Sequence, residues 1–193
     1  MYPDKYLIRP LIQRDIPHLT PINPTFTANT RLQVQRQGTY PFHGWQLNEV
    51  LLEKPFDKKH GYDFDTIEQE NIRQRLQKPH TLLEVVVDKS PQTLVGILDV
   101  EEESWRQAAW IWNIMLDVSA RGEGLGRHLI QRTIDWAKQR RLRAILLETQ
   151  SNNTPACHFY AHLGFKLVGI NDMFYTNQDI EQQEVALFWG YAL

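Results

Sequence analysis

Cysteine is nearly missing from this 193-residue sequence, which contains only Cys157. One cysteine cannot form an internal disulfide and offers no cysteine cluster for zinc. Long apolar stretches are missing too, because no run reaches the roughly 18 apolar residues that a membrane-spanning helix needs. The opening MYPDKYLIRP shows neither the apolar core of a secretion signal nor a basic amphipathic transit pattern. We therefore expect a cytoplasmic protein.

The sequence also lacks a surplus of either charge, with a formal net charge of -2 and a pI near 6.4. Without a basic surplus, nucleic acids and anionic membranes are not expected partners. Repeats and low-complexity segments are absent, and 42% hydrophobic residues are sufficient for one core. These features predict a single domain over residues 1–193.

The pattern of apolar residues predicts a chain of the α/β (α+β) class. YLIRPLI at Tyr6–Ile12 indicates the first strand, and residues 24–62 indicate a hairpin with one solvated face. Phe64–Gln77 has the pattern of a helix with Asp65 as its N-cap. An antiparallel meander is then predicted from HTLLEVVVD, QTLVGILDV and AAWIWNIMLDV, which are separated by KSP and by EEESWRQ.

A cluster of glycines, SARGEGLGR at Ser119–Arg127, separates a strand from a helix. Along that helix one face is apolar, comprising Leu125, Leu129, Ile130, Thr133, Ile134 and Ala137. The strands IMLDV and AILLE on either side should therefore be parallel neighbours joined by a right-handed crossover. A second helix, Pro155–His162, should end before Gly164, and FKLVGI and QEVALFWGYAL should form the closing strands.

Three glycines at the start of a helix need a reason, because glycine destabilises regular structure by roughly 0.5–1 kcal/mol relative to alanine. An anion is the usual reason, since a helix N-terminus presents unpaired N–H groups that phosphate oxygens can approach. A P-loop is excluded because Arg127 and His128 follow Gly126, and a dinucleotide-binding fingerprint is excluded by the spacing G-x-G-x-G. A turn that binds no ligand is the alternative that these residues alone leave open.

Two patterns resemble motifs of the GNAT N-acetyltransferase superfamily. Arg121, Gly124 and Gly126 fit [RQ]-x-x-G-x-[GA], and NTPACHFYAHLGF fits N-x-x-A-x-x-x-Y-x-x-x-G-F in the expected order. LLETQSNNTPACHFYAHLGF and the final EVALFWGY are particularly similar to the streptothricin acetyltransferase branch, and LEKPFDKKHGYDFD resembles its variable acceptor region. The resemblance implies a mixed, mostly antiparallel sheet that splays between two parallel central strands and is flanked by helices. Residues 24–62 would be the acceptor-side insertion.

The resemblance also implies acetyl-CoA as the cosubstrate and no metal. Backbone N–H groups of the glycine loop would hold the pyrophosphate, and the main chain at the end of the preceding strand would pair with the pantetheine. Asn153 matches a position that meets the cofactor, although an asparagine before Pro155 also predicts a helix cap. The implied cofactor-binding residues are Leu116, Val118, Arg121, Gly122, Gly124, Leu125, Gly126 and Asn153.

Tyr160 is the candidate acid for the departing thiolate, because a tyrosine with a pKa near its reference value of about 10 stays protonated at neutral pH. Packing beside Phe159 and Phe165 is the alternative reading of this residue. His158 and His162 have a metal-binding i, i+4 spacing. No third ligand accompanies them in the sequence, so no metal site is predicted.

The general base is harder to assign. Many GNAT members carry a glutamate four residues before the position of Leu116, and Trp112 stands there in this sequence. Glu148, at the end of the second parallel strand, is the best remaining carboxylate, ahead of Glu101 and Glu103. All three also fit solvated charges at strand ends. Trp110 and Trp112 share a strand face, where core packing is the first interpretation and an aromatic wall for the acceptor the second.

We thus predict a transfer of an acetyl group from acetyl-CoA to a primary amine of a small molecule by direct attack in a ternary complex. The alternatives are a non-catalytic acyl-CoA-binding sensor and an acetyltransferase acting on protein or peptide lysines or N-termini. The protein is expected to be a monomer or homodimer. Three aromatic residues lie near the hairpin turn: Tyr40, Phe42 and Trp45. They either fold onto the core or line an acceptor site beside Glu49 or Glu53. The family resemblance implies a β-lysyl or similar amine as the acceptor in that site.

Overall fold

The computed structural model describes residues 4–39, 41–59 and 64–193. Short 3₁₀ helices span Gln13–His18, Ser104–Arg106 and Val118–Ala120. The strands and α-helices are β1 (Tyr6–Pro10), β2 (Phe26–Thr39), β3 (Phe42–Lys58), α1 (Thr66–Gln77), β4 (Thr81–Asp88), β5 (Thr93–Glu103), β6 (Ala108–Leu116), α2 (Leu125–Gln139), β7 (Ala144–Gln150), α3 (Thr154–His162), β8 (Lys166–Asn171), α4 (Asp179–Gln182) and β9 (Ala186–Ala192).

The elements fall into two compact units. Unit one comprises the described residues of 1–25, 60–146 and 192–193, and unit two comprises those of 26–59 and 147–191. Hydrogen-bonded strands follow the order β1-β4-β5-β6-β7 in unit one and β7-β9-β8 in unit two, because β7 is divided after Leu146. The prediction of a single domain stays a prediction.

The sheet is mostly antiparallel, as the sequence predicts. The ladders β1/β4, β4/β5, β5/β6 and β8/β9 are antiparallel. β6 and β7 lie next to each other and are joined through α2, which makes them the parallel pair of the mixed sheet. The predicted meander and crossover are confirmed.

Helix α2 forms where the sequence predicts it because its apolar residues share one face. The buried residues of α2 are the six predicted ones: Leu125, Leu129, Ile130, Thr133, Ile134 and Ala137. Helix α1 begins at its predicted cap, where the Asp65 carboxylate accepts a 2.8 Å hydrogen bond from the Glu68 N–H. Ile72 of α1 is buried, whereas Ile67 in its first turn is 71% exposed.

Residues Glu101–Glu103 correct one boundary. From its polar sequence, EEESWRQ is predicted to separate two strands, whereas β5 continues through Glu103 and pairs with the start of β6. Three acidic residues in succession are tolerated there because each carboxylate meets a cation. The ion pairs are Glu101 with Lys78, Glu102 with Arg140 and Glu103 with Arg106.

The predicted hairpin is the two-stranded sheet of β2 and β3 in unit two, where its ladder closes at Thr39 opposite Phe42. The Leu32 N–H donates to the Ser151 carbonyl at 2.9 Å, and the Thr154 hydroxyl donates to the Thr30 carbonyl at 2.9 Å. These bonds join β2 to the start of α3. Within the described ranges, no helix is both long and apolar enough to cross a membrane.

Candidate functional site

The glycine loop of unit one is held by two charged side chains. The Asp117 carboxylate accepts hydrogen bonds from the Ser119 N–H at 2.9 Å and from the Asn23 N–H at 2.8 Å. Burial opposes ionisation of Asp117, but these hydrogen bonds prevail and lower its pKa. Arg121 donates to the carbonyls of Leu116 at 3.0 Å and Thr25 at 2.7 Å. The Arg121 guanidinium therefore ties the loop to the end of β6.

Gly122 and Gly124 give the loop a surface without side chains. Their φ values of 79° and 77° lie in the left-handed region, which glycine adopts at little cost. A Cβ atom built at either position would have no neighbouring atom within 4 Å, so the space beside this backbone is open. The loop leads directly into α2, whose first N–H groups have no acceptor within the helix. This turn leaves room for phosphate oxygens, and its predicted role in holding the pyrophosphate stays a prediction.

Two main-chain groups that were assigned to the pantetheine already have partners. The Leu116 carbonyl accepts from Arg121, although a carbonyl oxygen can accept a second hydrogen bond. The Val118 N–H donates to the Asn23 carbonyl at 3.1 Å. A pantetheine contact with that N–H therefore requires the Asn23 bond to be exchanged. The cofactor roles of Leu116 and Val118 stay predictions.

Trp112, at the usual position of the base, is the extra residue of a β-bulge. The register passes from Asp99 opposite Asn113 to Val100 opposite Ile111, so Trp112 has no residue opposite it on β5. Its side chain is 49% exposed, and the prediction of core packing is therefore wrong for Trp112. Trp110 and Trp112 do share a strand face, as their ring contact shows, but the neighbouring Ile111 and Asn113 are the buried residues, so the face of Trp112 is the more exposed one.

The exposed Trp112 ring is fixed by polar neighbours of unit one. Its indole N–H donates to Glu101 at 3.2 Å, and the Arg75 guanidinium lies 5.2 Å from the ring centroid. Trp110 makes an edge contact with it, with ring centroids 5.9 Å apart. Glu101 thus binds both Trp112 and Lys78, and Glu103 is paired with Arg106. Both secondary candidates for the base are engaged in ion pairs.

Glu148 has a different environment, on β7 in unit two. Its half-buried carboxylate accepts a hydrogen bond from the Tyr175 hydroxyl and faces the like charge of Glu184, which itself pairs with Lys58 at 2.7 Å. Burial is the largest influence and, with Glu184, raises the pKa of Glu148 to about 7 against the opposing effect of Tyr175. Glu148 can therefore take up and release a proton near neutral pH.

Tyr175 is a contributor that the sequence analysis missed. It lies in the segment between β8 and α4, which is organised around the buried Asp179 carboxylate. Asp179 accepts from the N–H groups of Phe174 at 2.8 Å, Tyr175 at 3.0 Å and Thr176 at 2.6 Å, and from the Thr176 hydroxyl at 2.8 Å. Burial opposes ionisation, but these bonds prevail and lower the pKa of Asp179. The acidic residue three positions after Thr176 was the available signal for this turn.

Asn153 and Tyr160 both belong to α3. Asn153 caps the helix, since its side-chain oxygen accepts from the Ala156 N–H at 3.2 Å. Tyr160 is 7% exposed, and its ring centroid lies 5.3 Å from that of Phe159 and 5.7 Å from that of Phe165. The capping and packing interpretations are thus confirmed. The cofactor role of Asn153 and the acid role of Tyr160 stay predictions.

The two histidines of α3 have partners of their own. His158 donates to the Glu49 carboxylate at 2.9 Å, and His162 donates to the His158 carbonyl at 2.6 Å. Hydrogen bonds from the Thr30 hydroxyl and then from His158 lower the pKa of Glu49. Glu49, which the sequence analysis considered for an acceptor amine, is therefore part of a contact between the hairpin and α3. Within the described residues, no group of three or more His, Cys, Asp or Glu side chains is placed to hold a metal ion.

The hairpin aromatics do not fold onto the core. Phe42 is 89% exposed, and Trp45 is 39% exposed with its indole N–H donating to Asp172 at 2.9 Å. Arg36 bonds the same carboxylate at 2.7 Å. Tyr40 lies outside the described residues, and Glu53 is exposed. An acceptor-lining role for these residues stays a prediction.

The assigned residues thus form two groups. Unit one contains the loop residues Leu116, Val118, Arg121, Gly122, Gly124, Leu125 and Gly126, which lie on one short segment. Unit two contains Glu148, Asn153 and Tyr160.

A family model described as acetyltransferase (GNAT) family matches residues 45–165, which spans both groups. The chain therefore belongs to the GNAT acetyltransferase family.

Among known proteins the chain is similar to streptothricin acetyltransferases. It is 39% identical over 98 residues to that of Escherichia coli and 36% identical over 88 residues to streptothricin acetyltransferase A of Bacillus subtilis. These matches cover 51% and 46% of this chain, and 56% and 50% of the relatives. The chain thus spans about half the length of these two relatives. The match to the Streptomyces lavendulae enzyme has 27% identity over 154 residues, covering 80% of this chain and 78% of the relative.

Solved structures agree with this similarity. A crystal structure of nourseothricin acetyltransferase has a TM-score of 0.80 at 25% identity, covering 97% of this chain and 98% of that chain. A putative streptothricin acetyltransferase from Bacillus anthracis in complex with acetyl coenzyme A has a TM-score of 0.75 at 25% identity, with 97% and 99% coverage. These neighbours confirm the predicted GNAT fold.

Proposed function

We propose that this protein is an N-acetyltransferase that moves an acetyl group from acetyl-CoA to a primary amine of a small molecule. The open glycine turn at Gly122 and Gly124 is the observation that carries the proposal, because it leaves room for phosphate oxygens at the start of α2. Family membership supports the same conclusion. The glycine loop would hold the pyrophosphate, with Arg121 keeping the loop in shape.

The reaction needs two proton transfers. Acetyl-CoA supplies the activated acyl group as a thioester. The amine nitrogen forms a new bond to the acetyl carbon in a ternary complex, and the bond from that carbon to sulfur breaks. A base must take a proton from the nitrogen, and an acid must return one to the thiolate.

Glu148 is the proposed base. A general base acts best when its pKa lies near the working pH, and burial raises the pKa of Glu148 to about 7. The Tyr175 hydroxyl holds the carboxylate in place. Glu101 and Glu103 are less suited because each is engaged by a neighbouring cation. Protonated Glu148 would pass its proton to solvent after turnover.

Tyr160 is the proposed acid. Its phenol, with a reference pKa of about 10, would give its proton to the thiolate, whose conjugate thiol has a pKa of about 8.5. This transfer is uphill by about 1.5 pKa units, and the resulting phenolate would regain a proton from solvent. Close packing against Phe159 and Phe165 supports the proposal, because a fixed ring keeps its hydroxyl in one orientation. Asn153 would contact the cofactor, which is the role that the family resemblance implies for this position.

A small amine is the proposed acceptor. The relatives named above acetylate streptothricin according to their names, and the family resemblance implies the β-lysyl amine of that antibiotic or an amine of similar shape. A non-catalytic acyl-CoA-binding protein is the second candidate. One specific observation favours it: the bulged Trp112 replaces the glutamate that many GNAT members use as the base.

The test is an acetylation assay with limiting enzyme and a panel of acceptors. The panel contains streptothricin, β-lysine, lysine, polyamines, aminoglycosides and a lysine-rich protein. Thiol release together with the mass of the acetylated amine is the readout, and we expect turnover of a small amine. Calorimetric binding of acetyl-CoA, with no thiol release in the presence of any acceptor, would instead support the non-catalytic binding protein. Turnover of the protein substrate alone would refute the small-molecule assignment and leave the acetyltransferase assignment intact.

A further inference from the structure

Unit two contains a cavity that neither the family motifs nor the proposed mechanism uses. Its volume is about 230 Å³. The lining is contributed by both strands of the hairpin, by the turn after β7 and by the end of α4. The polar lining residues are Arg31, Lys54, Asn152, Gln182 and Gln183. We call this the Arg31 cavity.

Two buried polar atoms in the lining lack hydrogen bonds. Arg31 Nε and the Asn152 side-chain oxygen find no partner in the part of the chain that the structure describes. Asn152 as a whole is only 6% exposed. Leaving such a group unpaired costs about 1–3 kcal/mol, and buried polar groups in folded proteins are nearly always paired. Two such atoms in the lining of one cavity indicate a polar ligand.

The charge of the cavity selects the ligand class. Other cations of the hairpin are neutralised, Arg36 by Asp172 and Lys58 by Glu184, each at 2.7 Å. Arg31 has no such carboxylate partner among the described residues, and the described lining contains two cationic and no acidic side chains. Arg31 offers only donors, and the Asn152 amide can be turned to present either its donor or its acceptor. A carboxylate accepts from Arg31 Nε and balances the positive charge of the lining, and it bonds Asn152 when the amide is turned to present its N–H groups.

The cavity and the surroundings of Glu148 share three segments of unit two: strand β3, the end of β7 with the turn that follows it, and the end of α4. Asn152 closely follows Glu148 along the chain, Gln183 immediately precedes Glu184, and Lys54 shares strand β3 with Lys58. An acceptor with an amine and a carboxylate on one short chain would engage both. The opposite charges of Arg31 and Glu148 would also orient it.

We infer that the Arg31 cavity binds the carboxylate of an amino-acid-type acceptor, such as lysine or β-lysine, whose amine is the nucleophile. This inference rests on the proposed function, because it assigns the acceptor of the same reaction. The carboxylate contact would make the protein prefer amino acids to diamines as acceptors, a distinction that the family resemblance does not imply. An amine without a carboxylate would leave Arg31 Nε unsatisfied.

The experiment compares lysine with 1,5-diaminopentane, which is lysine without its carboxylate, and with lysinamide, in which a neutral amide replaces the carboxylate. We expect kcat/KM for lysine to exceed that for the diamine by about tenfold or more, as one charge-assisted contact allows. Arg31→Gln should bring the ratio close to one. Arg36→Gln is the matched control, because Arg36 lies on the same strand but pairs with Asp172. It should keep the ratio of the unaltered protein.

A second variant and a second readout cover other outcomes. Asn152→Asp places a negative charge in the cavity and should reverse the preference in favour of the diamine. Calorimetry with lysine and with the diamine, without acetyl-CoA, measures the affinity of each for the protein even if neither is acetylated. Equal kcat/KM and equal affinity for lysine, lysinamide and the diamine would overturn the carboxylate inference. Absence of thiol release with every amine would refute the proposed function, while a calorimetric preference for lysine would still support the cavity.

Discussion

Glu148→Gln should make the protein more stable at alkaline pH while it removes the proposed base. The reason is the environment of the carboxylate: burial and the charge of Glu184 raise its pKa from the usual 4.5 to about 7. A raised pKa means that the folded protein holds the proton more tightly than the unfolded chain does. The stability contributed by Glu148 is therefore fully present below about pH 4.5 and is lost as pH rises through about 7.

The size of this loss follows from the difference in pKa. One pKa unit corresponds to about 1.36 kcal/mol, so the rise from 4.5 to about 7 sets an upper limit of about 3 kcal/mol. Solvent screens part of the effect, because the carboxylate is half-buried, and we expect ~1–2 kcal/mol. Glutamine has nearly the same shape and can still accept from Tyr175, but it does not ionise. The variant should therefore keep at pH 8 the stability that the unaltered protein loses.

Urea unfolding of both proteins at about pH 4.5 and about pH 8 measures this difference through the transition midpoint. The variant should match the unaltered protein at the lower pH and exceed it by ~1–2 kcal/mol at the higher one. Glu49→Gln is the control in the same unit, and its expected sign is opposite. Since Thr30 and His158 lower the pKa of Glu49, its ionised form stabilises the folded state. A Glu148→Gln variant that gained nothing between the two pH values would refute the assigned environment.

Two further predictions concern the remaining site residues. Gly126→Ala should retain acetyl-CoA binding, because the motif admits alanine there, whereas Gly126→Val should lose most of it while circular dichroism shows a folded protein. Equal calorimetric affinity of both variants would contradict the role of the loop. Tyr160→Phe should lower kcat by about 10² with little change in acetyl-CoA affinity, since phenylalanine keeps the packing of the ring but removes the proton. An unchanged kcat under chemistry-limited conditions would leave Tyr160 with a packing role only.

Local patterns made much of the fold predictable. The buried face of α2 repeats at helical spacing, and Asp65 caps α1 through a hydrogen bond to a residue three positions away. Gly164, at a φ of 92°, follows the last turn of α3 as a glycine C′ residue should. Such features depend on neighbours within a few residues, so the sequence displays them directly. The glycine loop belongs to the same class, since its geometry is set by its own residues and the adjacent helix.

Features that depend on distant residues were not predictable. The bulge at Trp112 follows from the register of β5 against β6, which the sequence of β6 alone does not show. The hydroxyl that holds Glu148 belongs to Tyr175, on a later segment that Asp179 organises. Residues Asp179–Gln182 form a short helix that no periodic pattern announces. Each of these required the tertiary structure.

The carboxylates of unit two distinguish structural from chemical roles. Hydrogen bonds lower the pKa of Glu49. They also lower the pKa of Asp172 and of Asp179, where N–H or guanidinium donors stabilise the ionised form against the opposing effect of burial. Glu148 is shifted in the opposite direction, because a single hydroxyl donor is set against burial and a neighbouring carboxylate. Burial also raises the pKa of Asp99 in unit one, but Asp99 is fully buried beside Arg75 and no acceptor amine can reach it. We propose that Glu148, a half-buried carboxylate on β7 whose pKa is raised to about 7, serves as the base in place of the glutamate that is absent at the position of Trp112.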